Sequence, residues 1–389
     1  MSARCDVVVV GLGAMGSAAV LHLARAGARV IGVDASSPPS PDGSSHGETR
    51  ITRLAVGEGA AYVPLVRRSH ELWRELEDEQ QDTLLVQCGG LILGGLHSSG
   101  QHGIANFVAA TIDVARAHDI GHEVLSADAM AARFGVFDVT DEIGYFEPTA
   151  GYVRAPACIR SHLELAERAG ATLRLNEQVV RWSCTGSGVE VETRTGVISA
   201  GAMVLAAGPW LPELAPELAP HLSVQRQVQY WFDIGRDATA FEAMPVFIWI
   251  HGASEGQYCY GFPATDGPSG GVKVATEVFG TSTSPQHVER EVAADEIAAM
   301  FDTHIGPRIG GLTPRCLRAA VCLYTVTPDF GFIIDRHPEH DNVVVASPCS
   351  GHGFKHSAAV GECVAELALS RPSPIDLSPF RFDRFAAEV

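Results

Sequence analysis

Residues 6–10 form a short apolar run bracketed by turn residues, which predicts a strand, and an apolar stretch of helical period follows from about residue 13 to 26. A second apolar run, 28–33, ends at Asp34, so the chain opens with a strand, a helix and a strand. Beyond a loop rich in Ser, Pro and Gly at 36–47, a helical pattern runs from about 62 to 79. Residues 156–170 read as another amphipathic helix, followed by alternating segments at 171–175, 179–182, 189–194 and 196–199. The next apolar run, 203–207, ends in Gly208-Pro209-Trp210. Between 225 and 278, aromatic and β-branched residues recur at strand spacing. The last third returns to an apolar strand at 342–346, a glycine-rich turn and a helix from about 354 to 369. Nucleotide-type units at both ends enclosing strand-rich segments predict an α/β (α+β) fold whose domains are interleaved.

The length of 389 residues agrees, since one core rarely serves so long a chain and two domains are expected. The 40 glycines cluster at strand-to-helix junctions, and no internal repeat is present. No apolar stretch reaches the roughly 18 residues a membrane span requires. The first residues run straight into a strand and leave no room for a signal peptide, so a cytoplasmic protein is expected. A formal charge of −18 excludes a basic footprint for nucleic acid. The nine cysteines are scattered and never form C-x-x-C, which points to neither a disulfide framework nor a zinc site; no metal is expected.

The first chemistry lies in Gly11-x-Gly13-x-x-Gly16, directly after a strand and at a helix start. The first glycine makes the tight turn, the second admits a pyrophosphate to the backbone, and the third packs helix on strand. The helix N-terminus adds free N–H groups and a positive dipole. Asp34, at the end of the second strand, is placed to accept hydrogen bonds from a ribose. The motif does not choose FAD over NAD, but the acid disfavours the ribose phosphate of NADP.

Three further segments are more specific. They are Gly43-Ser44-Ser45-His46-Gly47-Glu48-Thr49-Arg50-Ile51-Thr52-Arg53, then Val321-Cys322-Leu323-Tyr324-Thr325-Val326-Thr327-Pro328-Asp329 with Phe332-Ile333-Ile334-Asp335 after it, and Ser350-Gly351-His352-Gly353-Phe354-Lys355. With the glycine fingerprint, in this order and spacing over nearly the whole chain, the sequence resembles the monomeric sarcosine oxidase and N-methyltryptophan oxidase family of flavoenzymes. The resemblance implies a glutathione-reductase-like FAD-binding domain, assigned to residues 1–84, 152–220 and 320–389. The substrate domain, built on a large mixed sheet, is assigned to 85–151 and 221–319.

The resemblance also implies roles. Cys322 is joined by a thioether to the flavin 8α-methyl. Arg53 and Lys355 hold the substrate carboxylate, which in a dry pocket requires cationic, preferably bidentate, partners; Lys355 also stands where it can serve the flavin. His46, Thr49 and Arg50 fall beside the flavin ring, with Arg50 stabilising its anionic reduced form. Lys273, after Tyr260-Gly261-Phe262-Pro263, takes the place of the lysine that activates dioxygen. Tyr260 and Tyr324 line the substrate cage. Ala14, Met15, Ser44, Val179, Gly208, Gly351 and Gly353 join the fingerprint residues at the cofactor.

Two departures qualify the likeness. The family usually has a histidine four residues past the lysine, where this chain has Glu277. A carboxylate there either pairs with a cationic amine at the reaction site or turns to a protein cation such as Lys273. Ser347-Pro348-Cys349 stands where a glycine and an apolar residue are usual. The expected activity is oxidation of a small N-methyl amino acid or related secondary amine by a monomer, with dioxygen reduced to hydrogen peroxide. A dehydrogenase feeding an electron carrier, an NAD-dependent oxidoreductase and a flavin-binding protein without turnover are the alternatives. The substrate side chain, and whether the N-methyl or the α-carbon is oxidised, stay open.

Overall fold

The valines of the first apolar run are almost without solvent contact because the strand Ser2–Val10 lies inside a sheet. It pairs in parallel with Val30–Val33 on one side and Val197–Leu205 on the other. The computed structural model describes residues 2–95, 100–186, 188–254 and 256–388. This first sheet has eight strands and is extended by Thr172–Arg174 at one edge and by Val179–Thr185 with Gly188–Thr193 at the other. His340–Ser347 pairs in parallel with the end of Val197–Leu205, and Ile333–His337 pairs with it in turn. The helices Ala14–Arg25, Ala155–Arg168 and Ser357–Ala368 share a core with the sheet. The first and last approach closely: a Cβ on Gly361 would lie 2.3 Å from the Cβ of Ala18.

A second eight-stranded sheet is mostly antiparallel. Its order runs Leu312–Val326, Ser223–Ile234, Val272–Ala275, Tyr258–Gly261, Val246–Ile250, Gly90–Gly94, Ile143–Glu147, Glu123–Leu125. Only Val246–Ile250 and Gly90–Gly94 run parallel, so the sheet is mixed. A small third sheet, Thr49–Thr52, Gly151–Arg154 and Leu85–Val86, stands where the chain passes between the other two.

The apolar runs and helical patterns fall where the sequence places them, within a few residues. The segments 196–199 and 203–207, however, are one strand, Val197–Leu205, because the pairing with the first strand holds the same register on both sides of Gly201, at Ala200 and at Ala202. The strand Leu312–Val326 begins nine residues before the motif that signals it and runs through positions 319 and 320 without a break. The helix Phe107–Ala117 carries no signal used above; it starts from Asn106 in a left-handed conformation rather than from a capping side chain. Among the described residues no helix is long and apolar enough to cross a membrane.

Candidate active site

The glycine turn is built as its spacing demands. Gly11 has φ 87°, and a Cβ there would lie 2.5 Å from the carbonyl oxygen of Ala206. A Cβ on Gly16 would lie 1.8 Å from the carbonyl oxygen of Gly11, so the helix can approach the strand only with glycine in place. Gly13 is different: its nearest neighbour on that side is Ser45 Oγ at 3.6 Å, and it borders a cleft. The helix Ala14–Arg25 begins there without a cap from Gly13; Ala14 N makes a long bond to Ser45 Oγ at 3.4 Å, and the next N–H groups of the first turn face an anion site. Asp34 braces the turn. One carboxylate oxygen accepts from Leu12 N at 2.7 Å and the other from Ser36 N and Oγ, each at 2.8 Å.

The cleft runs from Gly11, Gly13, Ala14, Met15 and Asp34 past Ser44, Arg50, Val179 and Gly208 to Tyr324, Gly351 and Gly353. The Ser44 hydroxyl is buried beside it, with the Cys349 thiol as its neighbour. An extended cleft with a helix N-terminus and a bare glycine on its wall fits an adenine dinucleotide such as FAD. Gly16 packs the helix rather than lining the cleft. His46, Thr49, Arg53, Tyr260, Lys273, Glu277, Cys322 and Lys355 are not part of its surface; they stand in the protein around its far end.

Lys273 is buried on the strand Val272–Ala275. Its ammonium donates to Gly47 O at 2.5 Å, Thr49 O at 2.8 Å and Thr49 Oγ1 at 3.4 Å. Burial, with Arg50 next, holds its pKa well below the usual lysine range. Arg50 donates to Thr49 O and Ser44 O. Burial, then Arg50, pulls His46 down to about 4, so its ring is neutral at pH 7. Cys322 is fully enclosed, with Gln229 Nε2 at 3.4 Å from its sulfur. Burial raises its thiol pKa, while Arg50 and Lys273 oppose the rise.

Around the Gly351 turn the side chains are charged and dry. Tyr260 and Tyr324 meet hydroxyl to hydroxyl at 3.3 Å. Arg53 Nη2 donates to Glu58 Oε2 at 2.6 Å, and its guanidinium lies 5.5 Å from the centre of the Phe107 ring. Lys355 donates to His352 O at 2.7 Å. Burial brings Lys355 down to about 7 against the pull of Glu58, so its charge is poised near neutrality. Glu58 itself is held well below the carboxylate range, because Arg53 and Lys355 outweigh its burial.

Glu277 does not pair with Lys273. Its Oε2 accepts from the Tyr258 hydroxyl and lies 2.8 Å from His102 Nε2. His102, Glu58 and Tyr258 carry no motif in the sequence, and only the fold joins them to the site. Glu58, His102 and His352 present ligand-type atoms within 4.8 Å of one another, but Arg53 and Lys355 already supply the positive charge that Glu58 attracts.

Fold and cleft together define a dinucleotide-binding protein, and its relatives make it a flavin-dependent oxidoreductase. The chain belongs to the FAD dependent oxidoreductase (DAO) family, whose profile matches residues 6–367. It is 40% identical to monomeric sarcosine oxidase of Streptomyces avermitilis over 391 residues, covering 100% of this chain and 99% of that protein. It is 36% identical to N-methyl-L-tryptophan oxidase of Salmonella arizonae, over 98% of this chain and all of that one. Among solved structures, the open form of NikD, an unusual amino acid oxidase essential for nikkomycin biosynthesis, superposes with a TM-score of 0.84 at 23% identity over 97% of both chains. The two large sheets are thus those of an FAD-binding domain interleaved with a substrate domain.

Proposed function

We propose that the protein oxidises a small N-methyl amino acid or related secondary amine, of the sarcosine, N-methyltryptophan or cyclic imino acid type, to an imine. Dioxygen serves as the final acceptor and leaves as hydrogen peroxide. The observation that carries this reading is that Arg53 and Lys355 are both buried near the Gly351 turn, Arg53 paired with Glu58 at 2.6 Å and Lys355 within the electrostatic reach of the same acid, at one end of the cleft. The full-length identity to sarcosine and N-methyltryptophan oxidases supports it independently.

FAD, when bound, supplies an acceptor for one hydride, that is, two electrons and a proton. Gly11, Gly13 and the helix N-terminus at Ala14 would hold its pyrophosphate, and Cys322 would tether it by a thioether. Arg53 and Lys355 bind the substrate carboxylate and fix the amine relative to the cleft. Tyr260 and Tyr324 wall the pocket and exclude water. Lys273 keeps a positive charge, or a set of N–H donors, in a dry place where dioxygen is to be reduced. We assign 1–84, 152–220 and 320–389 to the cofactor half and 85–151 with 221–319 to the substrate half. The name of the Streptomyces relative supports a monomer, and nine free cysteines fit a reducing, cytoplasmic setting.

The test is a peroxide assay in air with N-methylglycine, N-methyl-L-alanine, N-methyl-L-tryptophan and L-proline. Peroxide with formaldehyde marks oxidation at the N-methyl group; peroxide with a keto or cyclic imino acid marks the α-carbon. Flavin reduction by these amines without peroxide would replace the oxidase with a dehydrogenase, and no reduction by any of them would remove the reading.

A further inference from the structure

A run of buried charges crosses the floor of the candidate site. It starts at Tyr258, whose hydroxyl donates to Glu277 Oε2, and continues from that oxygen to His102 Nε2 at 2.8 Å. The other ring nitrogen, Nδ1, lies 3.2 Å from Glu58 Oε1, and Glu58 Oε2 accepts from Arg53 Nη2 at 2.6 Å. The charges alternate along it: carboxylate, imidazolium, carboxylate, guanidinium. Side-chain exposure is 5% or less at Arg53, Glu58, His102 and Glu277, so no solvent screens them.

His102 is the joint. It sits at φ 51° in a turn closed by the Gln101–Ile104 bridge, and its ring packs 5.1 Å from that of His352 and 5.7 Å from that of Phe330. Two carboxylates facing each other across one neutral ring would repel, and one would take up a proton. A charged ring removes that conflict. Burial works against its charge, but Glu277 and Glu58 together outweigh burial and push His102 up to about 9. Both ring nitrogens then donate, one to each acid.

One acceptor is left over. Glu277 Oε1 lies 2.7 Å from the place a Cβ on Gly351 would occupy, beside Tyr324, and Gly351 and Tyr324 both line the cleft. We propose that His102 is a positioning residue that makes Glu277 and the Arg53–Lys355 pair into the two ends of one reader for an α-amino acid. Glu277 Oε1 receives the N–H of the substrate nitrogen, and Arg53 with Lys355 receives its carboxylate. The ligand class is an amino acid with both groups, not a bare amine or a bare acid. This rests on the amino-acid oxidase reading above.

The test uses flavin-loaded enzyme and two ligands: N-methylglycine, followed by anaerobic flavin reduction, and propionate, followed by the change in flavin absorbance on binding. Glu277→Gln is expected to weaken N-methylglycine at least tenfold in apparent affinity and to leave propionate within about threefold. His102→Gln is expected to weaken N-methylglycine to a similar degree. The double variant should be no worse than the poorer single, because the residues act as one unit. Losses that multiply in the double variant overturn the proposal. So does propionate weakening in parallel with N-methylglycine in Glu277→Gln, an arm that stands even if His102→Gln does not fold. A His102→Gln enzyme that melts earlier yet binds both ligands as before makes the residue merely structural. Wild-type enzyme that oxidises amines without a carboxylate equally well sinks this inference together with the carboxylate clamp but leaves amine oxidation standing; wild-type enzyme that oxidises no amine sinks the activity beneath it.

Discussion

The side-chain amide of Gln229 donates to the sulfur of Cys322 across two paired strands, 3.4 Å from nitrogen to sulfur. Gln229 lies opposite Ala320 and Cys322 opposite Gln227, so the two side chains are diagonal neighbours on one face of the sheet. A donor aimed at sulfur, with Arg50 and Lys273 nearby, counters the burial that holds the thiol protonated. The protein precipitated with acid should therefore keep its yellow colour in the pellet, and Cys322→Ser should release it to the supernatant. Gln229→Leu should slow attachment in flavin-free protein supplied with FAD. A colourless wild-type pellet would falsify the tether.

In the proposed clamp, Lys355 should make ligand binding depend on pH in a defined direction. Its pKa of about 7 lies below that of a free lysine, and a carboxylate binds the charged form. Affinity for propionate should be highest below pH 7 and fall as pH rises through it, by up to about tenfold per unit. Lys355→Met should bind weakly at every pH and lose this break. An unchanged break in that variant would assign the titration to another group.

Lys273→Met removes the three hydrogen bonds of a buried amine. Reoxidation of reduced flavin by dioxygen should slow by about 100-fold or more, as for loss of a preorganised donor facing developing negative charge. Anaerobic reduction by substrate should change far less. The carbonyls of Gly47 and Thr49 lose a partner, at about 1–3 kcal/mol of stability. Stopped-flow traces in which both half-reactions slow together would make the lysine structural.

Gly16→Ala puts a methyl group 1.8 Å from the Gly11 carbonyl oxygen, and backbone cannot rotate away as a side chain can. The expected cost is about 1–3 kcal/mol, with reduced flavin content in purified protein. Gly13→Ala, where the nearest neighbour is 3.6 Å away, should melt normally but bind flavin poorly. Equal effects of the two on melting and on flavin content would contradict the separate roles given to these glycines.

The parts of the site that a sequence displays are those imposed by backbone. Gly11, Gly16, Gly351 and Gly353 answer to positive φ or to contacts that a Cβ would violate, and such needs leave a residue type at a fixed spacing. Buried strands leave apolar runs for the same reason. His102 and Glu58 leave nothing comparable. Their signal is a partnership across sequence separations of 175 and 44 residues, and no local pattern encodes which histidine will meet which acid. Glu277 was conspicuous only as a departure, and its partner, His102 in place of Lys273, was decided by how the loop at 100–104 packs. The first half of Leu312–Val326 escaped because Pro314, Arg315 and Arg318 interrupt its apolar pattern at the sheet edge.

The interleaving of the first sheet sets a timetable for synthesis. The glycine turn and its helix leave the ribosome early, but Val197–Leu205 gains its last parallel neighbour only with His340–Ser347. The helix that packs on Ala14–Arg25 through Gly361 comes later still. A nascent chain of two-thirds length thus owns the loop that grips a dinucleotide but not the walls that retain it, and domain-by-domain folding during translation is denied to it. Cofactor loading has to wait for the finished polypeptide, and a chain cut short before residue 347 should be left as an open sheet edge for chaperones and proteases rather than as a weakened enzyme.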